Sequence, residues 1–349
     1  MRIAYFLPSL ANSGPVLVVK DLVSLLKEQA DITVYYFDTI VETTFDCPVV
    51  NINFLDKIDF SKYDILHSHM LRPDAYLFLN RKRAKGKLVS TIHNYVEQDL
   101  SNTHNKLISV VFTKVWNHLL SKHDKLVALS SHMQDYYKVL YSNRSIAYVY
   151  NGRDIDISKE ENLPTEDLRA IKDFKGSSIL LGVSAQLTRR KGVDQTVKLL
   201  QRMSNLKLLI IGDGPAKGDL MALAEKSGVS DRCLFLGYRK DGQRYNSLFD
   251  IYMMTSRSEG FPLAMIEAAA YGVPILASDL PVFKEAFCED EVSFYQLENL
   301  DSMQHAMEEL IVNRSTYSKN ILAKYQSDYT AKEMASNYLQ LYQNLISEA

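Results

Sequence analysis

The stretch SEGFPLAMIEAAAYGVP at residues 258–274 is the most informative part of the sequence. It follows an apolar run at 251–254, typical of a short buried strand, and a polar turn. Pro262 favours the first helical turn, because that position needs no N–H donor and the fixed φ of proline already suits a helix. Gly272 and Pro274 predict the end of that helix. The sequence therefore predicts a helix that begins just after the carboxyl end of a strand.

Two glutamates of this stretch are candidates for ligand contact. Glu259 lies in the turn before the predicted helix, and Glu267 lies inside it, in a segment otherwise free of charge from 260 to 278. A carboxylate in apolar surroundings is costly to bury unless it accepts hydrogen bonds. The hydroxyls of a sugar or a ribose donate such bonds, and the N–H groups at a helix start attract phosphate. The alternative is a helix cap with one buried glutamate bonded to backbone.

Short apolar runs alternate with helical-length segments along the chain, which predicts parallel sheets covered on both faces. The polar stretch 159–176 separates two series and predicts an N-terminal domain at 1–165 and a C-terminal domain at 166–327. A last helix at about 328–349 is expected to pack back on the first domain. The predicted strands lie near 2–7, 32–37, 49–52, 64–67, 88–92, 126–129, 146–150, 179–184, 207–211, 233–236, 251–254, 275–277 and 291–295.

Polar residues and glycines follow the ends of many predicted strands. Open parallel sheets bind ligands outside the carboxyl ends of their strands, so two such rims facing each other would form a ligand cleft. The residues in question are Ser13, Gly14, His67, His69, His93, Ser130, Asn151, Gly152, the run 186–192, the run 212–215 and Glu259.

The composition is that of an ordinary soluble globular protein. The 349 residues suffice for two domains, and the hydrophobic content is 46% with 23% charged residues. A net charge of -2 argues against a general nucleic-acid binder. Cys47, Cys233 and Cys288 lie far apart, which predicts neither a disulfide framework nor a zinc site and fits a reducing cytosol. No apolar run has the length of a transmembrane helix.

The run Glu-Gly-Phe-Pro-Leu at 259–263, the second glutamate eight residues after the first, and Ala-Tyr-Gly-Val-Pro at 270–274 resemble the signature of retaining nucleotide-sugar glycosyltransferases of family 4. The resemblance covers about residues 1–345 and is strongest at 179–280. It implies the α/β GT-B architecture, two Rossmann-like domains with parallel sheets facing across a cleft. It also implies transfer of a sugar from a nucleoside diphosphate sugar to a hydroxyl of a glycan or lipid-linked acceptor, with a UDP-sugar as the leading candidate for the donor. A composition rich in Lys, Asn, Ser and Tyr fits a bacterial surface-polysaccharide enzyme.

The resemblance also assigns site residues. His93, in Thr-Ile-His-Asn, and Glu259 would contact the donor sugar, Lys191 would bind the diphosphate, and Glu267 would bind the ribose. His93, Glu259 and Lys191 form the candidate catalytic group. The other candidate donor-binding residues are Gly14, Gln186, Arg189, Arg190, Gly237, Gly260, Phe261, Pro262 and Leu263.

The chain departs from the family pattern at Gln186. The family places an Arg five residues before the lysine, whereas this chain has Ala-Gln-Leu at 185–187. Gln186 donates a hydrogen bond but carries no charge, and Arg189 or Arg190 is expected to compensate unless both belong to a solvated turn. The departure leaves a non-catalytic nucleotide-sugar binder or partner subunit open. Another GT-B activity, such as an epimerase or a phosphorylase, is a further alternative.

His67 and His69 share one face of a strand, which is compatible with a metal site or with a purely architectural role. No third ligand is evident nearby, and family members need no divalent ion. The expectation is an enzyme without metal or other cofactor.

The segment 72–125 carries ten Lys or Arg against four acidic residues, together with the apolar Leu107, Ile108, Val110, Val111, Phe112 and Trp116. A basic and apolar helical face predicts docking on an anionic membrane surface, at the cytoplasmic face of the plasma membrane. The alternative is one solvated face and one core face.

Overall fold

The structure, a computed structural model, describes residues 1–97, 106–141, 144–157 and 163–348, without the side chains of 106–108. It divides into two units. The first consists of Met1–Asp154 with Tyr329–Ala349, and the second of Ile155–Asp328.

The first unit is built on a seven-stranded parallel sheet. Its strands are β1 (Arg2–Leu7), β2 (Asp31–Tyr36), β3 (Val49–Asn51), β4 (Ile65–His69), β5 (Lys87–Thr91), β6 (Lys125–Ala128) and β7 (Ile146–Tyr148). They are hydrogen-bonded in the order β3-β2-β1-β4-β5-β6-β7. This is the order of a doubly wound sheet, and its switch point, where ligands bind in such folds, lies between β1 and β4.

Helices cover this sheet, and aromatic rings fill part of its core. The helices are α1 (Gly14–Leu26), α2 (Leu71–Asn80), α3 (Lys106–Leu120) and α4 (Ser131–Leu140). Phe6 stacks on Tyr35 and contacts Phe60 and Tyr76 in one buried cluster.

The second unit has a six-stranded parallel sheet of the same doubly wound order, β10-β9-β8-β11-β12-β13. Its switch point lies between β8 and β11, and its core is mostly Leu, Val and Ile. The strands are β8 (Ile179–Ser184), β9 (Leu206–Ile211), β10 (Cys233–Gly237), β11 (Ile251–Met254), β12 (Ile275–Ser278) and β13 (Ser293–Tyr295). The helices are α5 (Thr165–Lys175), α6 (Val193–Arg202), α7 (Lys217–Lys226), α8 (Leu263–Ala270), α9 (Pro281–Ala286), α10 (Leu300–Val312) and α11 (Arg314–Asp328).

All thirteen predicted strands are present close to their expected places. The division between the units falls earlier than the 165/166 boundary expected from the polar stretch. Helix α5 packs in the second unit, where Asp167 accepts hydrogen bonds from Arg239 at 2.7 and 2.8 Å.

The helix predicted after Glu259 is α8, and it begins one residue later than the sequence suggested. Pro262 is the residue before the helix rather than part of its first turn, because Leu263 N–H donates to the Phe261 carbonyl in a tight turn at this point. Gly272 follows the helix in the left-handed conformation, with φ of 63°, as predicted.

The last helix, α12 (Ala331–Ser347), belongs to the first unit. The Thr330 hydroxyl caps it by accepting a hydrogen bond from the N–H of Glu333. Its buried face is formed by Ala331, Met334, Ala335, Tyr338, Leu341, Tyr342 and Leu345. The chain therefore returns to its first unit after the second, and α12 brings two tyrosine hydroxyls to the first sheet.

Candidate functional site

The ends of β8 and β11 lie side by side at the switch point of the second sheet, because these strands are hydrogen-bonded neighbours. The loop after β8 forms a short 3-10 turn at Arg189–Lys191, and the loop after β11 leads to α8. Lys191 and Glu259 stand 68 residues apart in the sequence and are in contact. The fold thus brings the predicted phosphate-binding turn to the first glutamate.

Glu259 is the centre of this site. Its Oε1 accepts hydrogen bonds from Nζ of Lys191 and Oγ of Ser256, each at 2.7 Å. Its Oε2 accepts one from Nη1 of Arg190 at 2.9 Å, and the same Nη1 donates to the carbonyl of Ser258 at 2.8 Å. Two cations and a hydroxyl therefore surround one carboxylate.

The electrostatics of the site keep Glu259 ionised although its side chain is only 8% exposed. Burial alone would raise the pKa of this carboxyl, but the charges of Lys191 and Arg190 and its hydrogen bonds hold the pKa below the usual value. The side chains of Lys191 and Arg190 are 17% and 29% exposed. Lysine has three N–H donors and arginine five, so both can bind a second anion such as a phosphate.

A set of hydrogen bonds fixes the two loops to each other. The backbone N–H of Arg257 donates to the carbonyl of Arg190 at 2.7 Å, and the guanidinium of Arg257 pairs with both carboxylate oxygens of Asp194 at 2.9 and 3.0 Å. Gln195, which is buried, donates to the carbonyl of Thr255 at 2.9 Å. These contacts set the position of the two cations relative to the carboxylate.

Gly192 allows the loops to approach this closely. Its φ is 65°, and a Cβ at this position would lie 2.0 Å from the carbonyl oxygen of Thr255. A glycine alone tolerates both the left-handed backbone and the contact. The hydroxyl of Thr255 in turn donates to the carbonyl of Lys191 at 3.1 Å.

The structure separates the two arginines expected to replace the missing cation. Arg190 reaches Glu259, whereas the side chains of Arg189 and Gln186 are exposed. The other candidate residues lie at strand and helix ends: Gly14 begins α1, Gly237 ends β10, Gly260, Phe261 and Pro262 are buried before α8, and Leu263 is the first residue of α8.

Glu267 lies half-buried in α8, at the same end of the sheet. Burial is the largest cause that raises the pKa of Tyr252, and the charge of Glu267 raises it further. The Tyr252 hydroxyl donates to the carbonyl of Ser184, the last residue of β8, at 3.2 Å.

Three histidines gather where β4 and β5 of the first sheet end. Nδ1 of His67 lies 2.6 Å from the Tyr342 hydroxyl, and its Nε2 lies 2.8 Å from Oγ1 of Thr91. Nδ1 of His69 lies 2.8 Å from Nε2 of His93. Both nitrogens of His67 are therefore engaged in hydrogen bonds, which disfavours the metal-ligand alternative for the His67–His69 pair.

Burial keeps these histidines neutral. It lowers the pKa of His93 to about 3 and the pKa values of His67 and His69 well below the usual range, with further lowering from neighbouring histidines in the latter two. Met70, directly after His69, has φ of 76° and ψ of 165°, a region that is strained for any residue except glycine. Backbone strain of this kind clusters at functional sites.

Comparisons with known proteins show the family of the chain. Residues 164–327 match the family model of glycosyl transferases group 1, and residues 48–157 match that of glycosyltransferase family 4. Over 357 aligned residues the chain is 30% identical to the O-antigen biosynthesis glycosyltransferase WclY of Escherichia coli, with 100% of this chain and 99% of WclY covered. The chain belongs to the GT-B glycosyltransferases. The expected fold and the expected enzyme class are confirmed.

Solved structures share the fold of this glycosyltransferase at low sequence identity. Sucrose-phosphate synthase of Thermosynechococcus elongatus matches with a TM-score of 0.82 at 17% identity, covering 100% of both chains. HepE of Anabaena, in complex with UDP, matches with a TM-score of 0.80 at 15% identity, covering 99% of this chain and 100% of HepE.

The sequence alone missed several residues that support the site of the glycosyltransferase. Ser256 stands three residues before Glu259, a spacing typical of local capping contacts, and that signal would have found it. Arg257 and Asp194 are 63 residues apart, and no local pattern links them.

The α3 surface consists of the exposed side chains of Val110, Val111, Phe112, Lys114 and Val115. Trp116 does not belong to it, because its ring is buried and Nε1 donates to Asp74 at 2.8 Å. Leu107 and Ile108 have side chains outside the described residues. Of the helices that the structure describes, none has the length and apolarity needed to cross a bilayer.

The chain contains one Asp-x-Asp triplet, Asp154-Ile155-Asp156, a pattern that can hold a divalent ion. Among the described residues, Cys288, Asp290 and Glu291 form the only group of three or more His, Cys, Asp or Glu side chains whose ligand atoms are close enough to share an ion, and this group is largely exposed. Independence of metal therefore stays a prediction for the glycosyltransferase.

Proposed function

We propose that this glycosyltransferase moves a sugar from a nucleoside diphosphate sugar to a hydroxyl of a glycan or lipid-linked glycan, with retention of the anomeric configuration. A UDP-sugar is the leading candidate for the donor. The setting is bacterial surface-polysaccharide synthesis. The likeness to WclY, an O-antigen biosynthesis enzyme, supports the pathway class. The complexes of HepE with UDP and UDP-glucose support the donor class.

The observation that carries this proposal is that the buried carboxylate of Glu259 accepts hydrogen bonds from both Lys191 and Arg190. As the bond between the anomeric carbon and the diphosphate breaks, the leaving group gains negative charge. Preorganised cations in a water-poor site stabilise such charge strongly. In the proposed complex, Lys191 and Arg190 turn their remaining donors to the diphosphate, and Arg190 supplies the charge that Gln186 lacks.

Glu259 then accepts hydrogen bonds from hydroxyls of the donor sugar, and Glu267 accepts them from the ribose. The bond between the anomeric carbon and the diphosphate breaks through an oxocarbenium-like state. The acceptor oxygen bonds to the anomeric carbon on the face that the diphosphate leaves, and the proton of the acceptor hydroxyl passes to the departing diphosphate. Neither glutamate acts as a covalent nucleophile. His93 contacts the donor sugar in this proposal, as the family resemblance implies.

The two cations make a divalent ion unnecessary for charge stabilisation, so the proposed reaction needs no metal. In this proposal the enzyme docks on the inner face of the plasma membrane, where anionic lipids attract Lys and Arg. The α3 surface and the basic residues of the segment 72–125 support this part of the proposal. A cytoplasmic enzyme would meet both its nucleotide-sugar donor and a lipid-linked acceptor there.

Thermal-shift measurements with UDP-, GDP- and ADP-sugars test the donor class. A ligand at about 100 times its Kd stabilises the folded protein by about 2.7 kcal/mol, so the matching base gives a clear rise in Tm. NMR of the product then tests the stereochemistry, and an inverted anomeric centre would refute retention.

A second candidate function is a non-catalytic nucleotide-sugar binder or partner subunit, favoured by Gln186 in place of an arginine. Stabilisation by a UDP-sugar without turnover on any acceptor would favour this candidate. Release of free UDP only when an acceptor is present would favour transfer, and would also exclude an epimerase.

A further inference from the structure

His69 is fully buried at the end of β4, and its hydrogen bonding is incomplete. Among the residues that the structure describes, its Nε2 has no hydrogen-bond partner, while its Nδ1 lies 2.8 Å from Nε2 of His93. A neutral imidazole carries one proton, so one of the two facing nitrogens donates and the other accepts. The unpartnered Nε2 of His69 indicates which of the two nitrogens carries the proton.

If His93 donated, the proton of His69 would stand on its Nε2, and a buried N–H would lack an acceptor. If His69 donates from Nδ1, its Nε2 keeps only an unused lone pair. Buried N–H groups without an acceptor are rarer in proteins than acceptors with unused capacity. Burial lowers the pKa of both rings, so neither ring carries a second proton. His93 therefore accepts at Nε2, and its own proton stands on Nδ1.

We propose that His69 is a positioning residue that fixes His93 as the Nδ1–H tautomer, so that His93 meets the donor sugar as a hydrogen-bond donor. The inference rests on the proposed function, in which His93 contacts that sugar. The surroundings hold the ring of His69 in place: its centroid lies 4.4 Å from that of His67 and 6.1 Å from that of Tyr5. Met70, the next residue in the chain after His69, has the strained backbone described above.

Nitrogen-15 NMR of the histidine rings in the ligand-free full chain tests the tautomer without any assay of activity. The signals of His93 are assigned from their loss in His93→Gln. We expect the wild-type protein to show His93 protonated at Nδ1 and unprotonated at Nε2, with His69 protonated at Nδ1. Protonation of His93 at Nε2 would overturn the proposal.

Kinetics of His69 variants with a UDP-sugar test the consequence. The amide nitrogen of an asparagine can stand where Nδ1 of histidine does, so His69→Asn should keep kcat near the wild-type value. His69→Leu removes the donor and should lower kcat about tenfold, the factor of one net hydrogen bond, with KM little changed. Tyr338→Phe is the matched control, because it removes a hydroxyl 2.9 Å from Thr91 Oγ1 in the same buried cluster but leaves the His69–His93 bond.

Circular dichroism and thermal melting establish that each variant is folded, and the wild-type NMR result stands even if His69→Leu does not fold. Equal loss of kcat in folded His69→Asn and His69→Leu would overturn the positioning role. Full activity of folded His69→Leu would overturn it as well, while leaving the transfer reaction intact. Wild-type protein that turns over no donor would instead refute the proposed function.

Discussion

Removing the charge of Lys191 tests whether this cation serves a bound diphosphate or only its partner carboxylate. Nζ of Lys191 lies 2.7 Å from Oε1 of Glu259, and the side chain is 17% exposed. Lys191→Met keeps most of the side-chain volume and removes the charge. One hydrogen bond to a charged group is worth about 1.5–3 kcal/mol, which corresponds to a loss of UDP affinity of about 10- to 150-fold. Turnover should fall by about 10²-fold or more, because negative charge grows on the departing diphosphate.

Calorimetric titration with UDP measures the affinity and requires no acceptor. The same titration in a Glu259→Gln background separates the two roles of Lys191, since the partner carboxylate is then neutral. We expect the loss of UDP affinity from Lys191→Met to persist in that background. A loss that disappears when residue 259 is glutamine would refute the diphosphate role, because Lys191 would then act only by pairing with Glu259.

Lys226→Met is the matched control. Lys226 is exposed in the last turn of α7. Because α7 runs back from the carboxyl end of β9, its last turn lies away from the carboxyl ends of the strands. The same substitution there removes the same charge, and UDP affinity should not change. Thermal melting of each variant in the absence of ligand shows whether the fold is retained.

Four further expectations concern the same protein. Gln186→Arg should preserve or raise turnover, and a collapse of turnover in a folded variant would show that Gln186 makes a contact of its own. Glu259→Gln should lower turnover more than UDP affinity, whereas Glu267→Gln should weaken UDP binding by about 1.5–3 kcal/mol; equal losses of affinity by calorimetry would contradict the separate roles. EDTA should leave turnover unchanged, and complete loss restored by Mg²⁺ or Mn²⁺ would show a metal requirement. Binding to anionic vesicles through the basic face at 72–125 should weaken as salt rises, because the attraction between its charges and the lipids is screened. If no protein co-sediments with the vesicles even at low salt, the alternative of one solvated face and one core face stands.

Much of the fold was predictable because its signals are local. The runs at 179–184 and 251–254 became β8 and β11 with the expected bounds, since short apolar runs between turns specify buried strands without reference to the rest of the chain. Gly272 ends its helix as predicted, because a left-handed residue after a helix is a local preference of glycine. The start of the helix differs from the prediction by one residue, and Pro262 precedes it. The reason is that the turn at Phe261 depends on the contacts of the whole loop.

The strands, their alternation with helices and the residue types at the strand ends can be read from the sequence, because these features follow from the properties of neighbouring residues. Three contacts follow instead from the folded chain: Arg190, and not Arg189, reaches Glu259, Trp116 is buried against Asp74, and His69 faces His93. Such contacts join residues far apart in the chain. They depend on strand order, which makes β8 the neighbour of β11 and β4 the neighbour of β5. Strand order is set by the packing of each whole sheet with its helices, and no stretch of sequence encodes it locally.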